Sequence, residues 1–313
     1  MYKNKSQIMN KSFYILASCF IIGLASLNSC EQSDVASISD TTPKSSERVA
    51  AVGAWTRQFT DDFSIGSTLS QWQKANRKDY NSNYCQYDPS IPTVGNKDFR
   101  TCMVITATKT GTNAYKSGLI KSNYSFKPAR NEEFRVSSQI KLIALDGTTF
   151  KSFTQTYGAW PAFWSVQETN WPTKGEIDIL EGYSFNGVKP ARFASNLFYG
   201  TTAGNNLLGN SAERGYPSTF NVDGNSGWHL YDCYWKNQNG VVTVTIQIDN
   251  QTVATYTNSV NSNLRLANFG PHNIIFNLNV GSNDSSFINP SLINLLSNTM
   301  MWVDYVTVDK RTI

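Results

Sequence analysis

The chain predicts an all-β protein, a sandwich of antiparallel sheets, and three observations carry that expectation. Short runs alternate apolar and polar residues, as in Val241–Ile248 (Val-Val-Thr-Val-Thr-Ile-Gln-Ile), the pattern of a strand with one buried face. Clusters of Asn, Gly and Ser separate these runs and supply the turns that antiparallel strands need. Outside the first thirty residues no long segment carries a helical period.

In chain order, residues 1–30 read as an export leader. Lys3, Lys5 and Lys11 precede an apolar stretch from Phe13 to Leu27, shorter than the ~20 residues a spanning helix needs. The stretch ends Leu27-Asn28-Ser29-Cys30, which resembles a bacterial lipoprotein box. That resemblance implies a lipidated Cys30 as the mature N-terminus. It also implies an exported protein anchored to the bacterial cell envelope, at the outer membrane or cell surface. Residues 31–49 are polar and rich in Ser and Thr, a flexible tether. Residues 50–313 are long enough for one large β domain, expected to act as a monomer.

The formal charge is +4, and three of the lysines belong to the leader, which leaves 24 basic against 23 acidic residues. This balance argues against nucleic acid as a partner. Charged residues make up 16% of the chain against a usual ~25%, and a neutral polar surface suits a neutral polysaccharide better than a sulfated one. Cys19 lies in the leader. Cys85 and Cys102 bracket a short loop and are expected to form a disulfide in an oxidising compartment. Cys233 is expected to be a buried small apolar residue, and no Cys/His cluster has zinc spacing.

The densest chemistry lies at Glu176-Ile177-Asp178-Ile179-Leu180-Glu181. Alternation sends Ile177 and Ile179 to one face and crowds Glu176 and Asp178 on the other, where like charges repel. A perfect strand would turn Glu181 away. One extra residue, a β-bulge between Asp178 and Glu181, brings all three acids to the same face. The two glutamates then sit about four strand steps apart, about 13 Å between Cα atoms at ~3.3 Å per step. Their long side chains can lean inward to the ~5–5.5 Å carboxyl separation of a retaining glycosidase. In this reading Glu176 is the nucleophile, Glu181 the acid/base, and Asp178 assists by holding the nucleophile. Such crowding raises at least one carboxyl pKa. A solvated acidic strand or a calcium site is the competing reading.

Upstream, Trp160 and Trp164 are four apart on one expected strand and share a face, with Ala162 giving room between them. Trp171 just precedes the acids. Flat indoles either pack a core or stack on sugar rings. Phe59, Phe63, Trp72, Trp235 and Trp302 are expected in the core.

The pattern Glu-x-Asp-x-x-Glu after Trp171-Pro172 and Gly175 resembles the bulged signature of glycoside hydrolase family 16. Gly158-Ala159-Trp160-Pro161-Ala162-Phe163-Trp164 is similar to its Gly-x-Trp-Pro-Ala-x-Trp strand. Further blocks of resemblance lie at Gly227–Tyr231 with Tyr234-Trp235, at Ile274–Gly281 and at Met301–Val306. Together they run in family order from about Phe59 to Val308. The resemblance implies a concanavalin A-like β-jelly-roll of two antiparallel sheets, with the acids lining a concave substrate groove. It implies that Trp160, Trp164 and Trp171 line the groove, with Asn196 and Phe198 on the following strand. Members often carry a His near the place of Phe198; here the only histidines are His229, in a structural block, and His272, expected in the Gly270-Pro271-His272 turn. Asn277 and Asn279 share a face and read either as hydroxyl contacts or as satisfied structural amides. No cofactor is required, although some members hold a structural calcium, for which Asp304 is the candidate.

The function implied is a retaining endo-glycoside hydrolase acting on a β-1,3- or mixed-linkage glucan. A galactan-cleaving agarase- or porphyranase-like enzyme and a transglycosylase are the near alternatives. A non-catalytic carbohydrate-binding jelly-roll has no use for three acids, and a structural envelope protein explains neither the acids nor the tryptophans. The long Asn76–Arg100 and Thr201–Gly227 segments are candidates for shaping the groove ends.

Overall fold

The computed structural model describes residues 52–146, 149–151, 153–184, 192–208, 227–258, 263–283 and 287–313. These fall within one compact unit, Val49–Ile313. The leader, Cys30 and the tether lie outside the described residues, as does most of the Thr201–Gly227 segment. Eighteen strands are described. They begin β1 (Thr56–Asp61), β2 (Trp72–Lys74), β3 (Arg77–Lys78), β4 (Cys85–Tyr87), β5 (Thr93–Lys97) and β6 (Arg100–Gly111). Next come β7 (Ala114–Ser117), β8 (Leu119–Phe126), β9 (Glu132–Asp146), β10 (Thr149–Lys151), β11 (Ala159–Val166) and β12 (Glu176–Tyr183). The last six are β13 (Arg192–Phe198), β14 (His229–Gln238), β15 (Val241–Ile248), β16 (Gln251–Thr257), β17 (His272–Val280) and β18 (Asn298–Thr312). One short helix, Pro290–Ile293, takes its N-cap from the Asn289 side chain.

The strands form two sheets, the all-β architecture that the alternation and turn clusters predict and the jelly-roll that the family resemblance implies. Six of them make the groove sheet, in the order β13-β12-β11-β17-β8-β2. The other twelve make the outer sheet, along β16-β15-β14-β9-β18-β6-β7-β4-β3 with β1, β5 and β10 added at the side. The core between them mixes side chains from both, such as Phe163, Ile177 and Phe276 from the groove sheet and Val136, Trp235, Val244 and Val306 from the outer one. Phe163 and Phe276 stack with ring centroids 4.7 Å apart. Each such buried side chain stabilises the fold by about 1.5–3 kcal/mol. Phe59, Phe63, Trp72 and Trp235 are buried in this core, and Trp302 is buried in a smaller cluster with Cys102, Val104 and Ile143. Cys233 is buried as expected.

Two expectations are corrected. Cys85 and Cys102 are both free and buried. Cys85, on β4, packs with Tyr87, Leu119 and Ile275, whereas Cys102, on β6, belongs to the Trp302 cluster. Their sulfurs turn to different carbonyls, Leu278 O and Gly95 O, so the loop they bracket is not closed by a disulfide. His272 is not a turn residue: it opens β17 and is fully buried. Its Nε2–H donates to Lys174 O at 2.9 Å, which leaves Nδ1 to accept from Ser165 Oγ at 3.1 Å.

Candidate active site

Strand β12 carries the acids, and the residues around it fix where they point. Gly175 opens the strand at φ +77°, and a Cβ there would sit 2.3 Å from the Phe269 ring, so only glycine fits this corner. From Glu176 the side chains alternate, and Ile177 faces the core. Asp178 pairs with Trp164 on β11 and Asn196 on β13, while Glu181 pairs with Ala162 and Ala194. Between these rows β12 has one more residue than β11, and both Ile179 and Leu180 go into the core. The extra residue returns Glu181 to the face of Glu176 and Asp178. Glu176 is half-buried; Asp178 and Glu181 are 3% and 9% exposed.

The surrounding side chains hold the acids by hydrogen bonds. The Trp171 indole N–H donates to Glu176 Oε2 at 2.7 Å, and the Trp160 indole N–H donates to Glu181 Oε1 at 3.1 Å. Asn196 Nδ2 donates to Glu181 Oε2. The Trp164 indole N–H donates to Asn277 Oδ1 at 2.7 Å. The Phe198 ring packs 5.8 Å from that of Trp171. All five side chains expected at the substrate therefore stand with the acids on one face of the groove sheet.

Sequence reasoning missed a second layer. Asn277 Nδ2 donates to Tyr87 OH at 3.1 Å, and that hydroxyl donates to Asp79 Oδ2 at 2.5 Å. Asn279 Nδ2 donates to the other Asp79 oxygen at 2.9 Å. Asn277 and Asn279 are thus satisfied structural amides, and they tie Trp164 to the β3–β4 hairpin. Tyr183, two residues past Glu181, makes an aromatic group with Trp160 and Phe287, at centroid distances of 5.2 Å and 5.6 Å. Strand parity from Glu181 could have found Tyr183; nothing local in the sequence points to Asp79 or Tyr87.

Electrostatics follow from this packing. Burial, and next the charge of Glu181, push the Glu176 carboxyl up to about 8; the Trp171 N–H opposes the shift, and the charge of Glu168 adds to it. Two crowded carboxylates near neutral pH hold one proton between them. That is the equipment for general acid catalysis beside a nucleophile.

Asp304, the calcium candidate, is paired with a cationic side chain. Its carboxylate already takes Arg100 Nη1 at 2.5 Å, and a second positive charge there would repel the guanidinium. Among the described residues no group of three or more His, Cys, Asp or Glu side chains could hold a metal ion.

Comparisons with known proteins bear on this geometry. A family model described as "XgeA-like, catalytic GH16 domain" matches residues 100–193, a span that includes all three acids. A probable endo-1,3(4)-beta-glucanase of Aspergillus niger is 66% identical over 29 residues, 9% of this chain and 4% of that protein's length. Among solved structures, the Bacteroides ovatus mixed linkage glucan PUL (MLGUL) GH16 in complex with G4G4G3G product is 25% identical. It covers 80% of this chain and 99% of its own, with a TM-score of 0.61. The endo-1,3-beta-glucanase from Streptomyces sioyaensis is 21% identical over 87% of this chain and 99% of its own, with a TM-score of 0.64. The laminarinase from Flavobacterium sp. UMI-01 is 20% identical over 81% and 99%, with a TM-score of 0.57. The last two establish the fold. The family match across the acid strand, with the Bacteroides ovatus neighbour over the β unit, supports a glycoside hydrolase.

Proposed function

We propose that the protein is a retaining endo-β-glucanase acting on a β-1,3- or mixed-linkage glucan. The observation that carries this reading is the placement of Glu176 and Glu181 on one face of β12, each held by a tryptophan indole beside the groove. Glu176 attacks the anomeric carbon and forms a glycosyl-enzyme, while Glu181 protonates the leaving oxygen; Glu181 then activates the water that releases the sugar. The resting packing raises Glu176, so catalysis needs the shared proton on Glu181 when sugar is bound. Positive charge developing at the anomeric carbon favours the Glu176 anion and drives that redistribution. Asp178, buried on the same face of β12, assists by holding the nucleophile. The G4G4G3G product held by the Bacteroides ovatus neighbour, a GH16 of a mixed linkage glucan PUL, supports the substrate class.

The test is release of new reducing ends from laminarin, mixed-linkage glucan, agarose and porphyran by the purified protein and by Glu176→Gln. Cleavage of a β-glucan, lost in the variant, with the β-anomer as first product by proton NMR, is the expected result. An α-anomer as first product rules out double displacement, and release from the galactans alone moves the substrate class.

We also propose that the enzyme is exported and lipidated at Cys30, on the strength of the leader and its terminal box. Labelling with a fatty-acid analogue in a bacterial host should mark the wild type and not Cys30→Ser. Equal labelling of both sinks the anchor.

A further inference from the structure

The groove sheet carries a row of side chains that starts at the acids and ends on the β3–β4 hairpin. Asp178, Trp164, Ile275 and Lys121 are successive register partners on β12, β11, β17 and β8, so they share one face. Three strand spacings of ~4.8 Å put Lys121 about 14 Å from Asp178 across the groove. Lys121 Nζ donates to Glu168 Oε2 at 2.7 Å, and Arg77 Nη2 lies 3.7 Å from Glu168 Oε1. The Arg77 guanidinium in turn lies over the Tyr80 ring, 3.6 Å from its centroid.

The loop that bears Tyr80 is fastened along its length. Asp79 N bonds Cys85 O at 3.0 Å and Asn283 N bonds Asn81 O at 2.6 Å. Ser82 Oγ donates to Val280 O at 2.5 Å, and Asn83 N donates to Asn283 Oδ1 at 3.0 Å. Asp79 and Tyr87 join the same hairpin to Asn277 and so to Trp164. Within this rigid frame Tyr80 is 72% exposed. One face of its ring is backed by the guanidinium, and most of the residue is exposed to solvent. A fixed aromatic plane at the end of a row that contains the groove tryptophan Trp164 suits the apolar face of a pyranose ring, at little cost in side-chain ordering.

We infer that Tyr80, backed by Arg77, is an outer binding platform for a neutral sugar ring of a β-glucan chain lying across the groove, on the Trp164 side of the acids. The inference rests on the glucanase reading above. The row gives the chain its direction, and the hairpin gives it an end.

The experiment compares wild type, Tyr80→Ala and Tyr80→Trp on a ladder of β-gluco-oligosaccharides of increasing length. For Tyr80→Ala, KM should rise about three- to tenfold on the longest members with kcat held, the loss should grow with chain length, and Tyr80→Trp should recover the wild-type values. The same KM for Tyr80→Ala and wild type at every length overturns the platform while leaving the glucanase reading intact. If wild type cleaves no member, calorimetric titration of the ladder into the Glu176→Gln variant and its Tyr80→Ala derivative separates the two ideas. Weaker binding without Tyr80 supports the platform and overturns catalysis on these glucans, equal binding overturns the platform, and no binding to either overturns both.

Discussion

The indole N–H of Trp171 meets Glu176 Oε2 at 2.7 Å, across only five residues of chain. It is a donor aimed at the charged form of the proposed nucleophile. Burial and the charge of Glu181 raise that carboxyl to about 8, and this hydrogen bond restrains the rise.

A pH profile should therefore show an alkaline limb. In the proposed mechanism the active state holds one proton on the Glu176/Glu181 pair, and with Glu176 raised to about 8 that proton leaves as pH rises through that value. kcat/KM should fall above that point. Trp171→Phe removes a donor that favours the anion, so the limb should move to higher pH while kcat drops roughly tenfold or more. A limb that stays in place would separate Trp171 from the titration.

Asn196 is the second donor on Glu181, beside Trp160. Asn196→Ala should leave the fold intact, since only one side chain changes on β13, and reduce kcat roughly ten- to hundredfold with a smaller change in KM. Steady-state kinetics on one glucan decide it; a rise in KM alone would make Asn196 a sugar contact and not a partner of the acid.

Tyr87→Phe cuts the line from Asp79 to Trp164. Asp79 Oδ2 and Asn277 Nδ2 each lose a buried partner, at a cost of about 1–3 kcal/mol in unfolding free energy. Because Trp164 is held through Asn277, KM should also rise. Urea unfolding read beside KM tests the link, and a loss of stability with unchanged KM would confine the network to a structural role.

His272 offers a pH test of stability. Its burial depresses the imidazole to about 4, below an ordinary value of about 6.5. The unfolded chain thus binds the proton first. The stabilisation is fully present above about 6.5 and is lost as pH falls toward about 4, by on the order of 3 kcal/mol. His272→Gln should flatten unfolding free energy against pH over that window. An unchanged slope would place the titration elsewhere.

Gly175→Ala should be among the most damaging small changes. The added methyl meets the Phe269 ring at 2.3 Å on a backbone at φ +77°. A loss of about 1–3 kcal/mol or more is expected, with activity falling as β12 shifts at Glu176. Thermal unfolding and kcat check both effects.

Much of the site was legible because strand parity is a strict code. Glu176, Asp178 and Glu181 fall on one face once a single extra residue is allowed, and Trp160 and Trp164 share a face by the same count. What stayed hidden is long-range. Asp79 reaches Asn279 across 200 residues, and no local pattern announces such a pair. The cysteines fail for a related reason: their spacing shows that a loop could close, but not that β4 and β6 send the two sulfurs into different clusters. His272 was misplaced because Gly270-Pro271 reads as a turn, whereas β17 begins at the histidine itself.

The three groove indoles each give the N–H to a protein acceptor: Glu181, Asn277 and Glu176. What they can offer a sugar is therefore ring surface, which senses the flat C–H face of a pyranose and is nearly blind to whether one hydroxyl stands axial or equatorial. In the proposed glucanase, discrimination between epimers then falls to the positions around them, such as the edge of Phe198. A lineage of this enzyme could exchange one hexose for another through those neighbours while its tryptophan floor stayed unchanged.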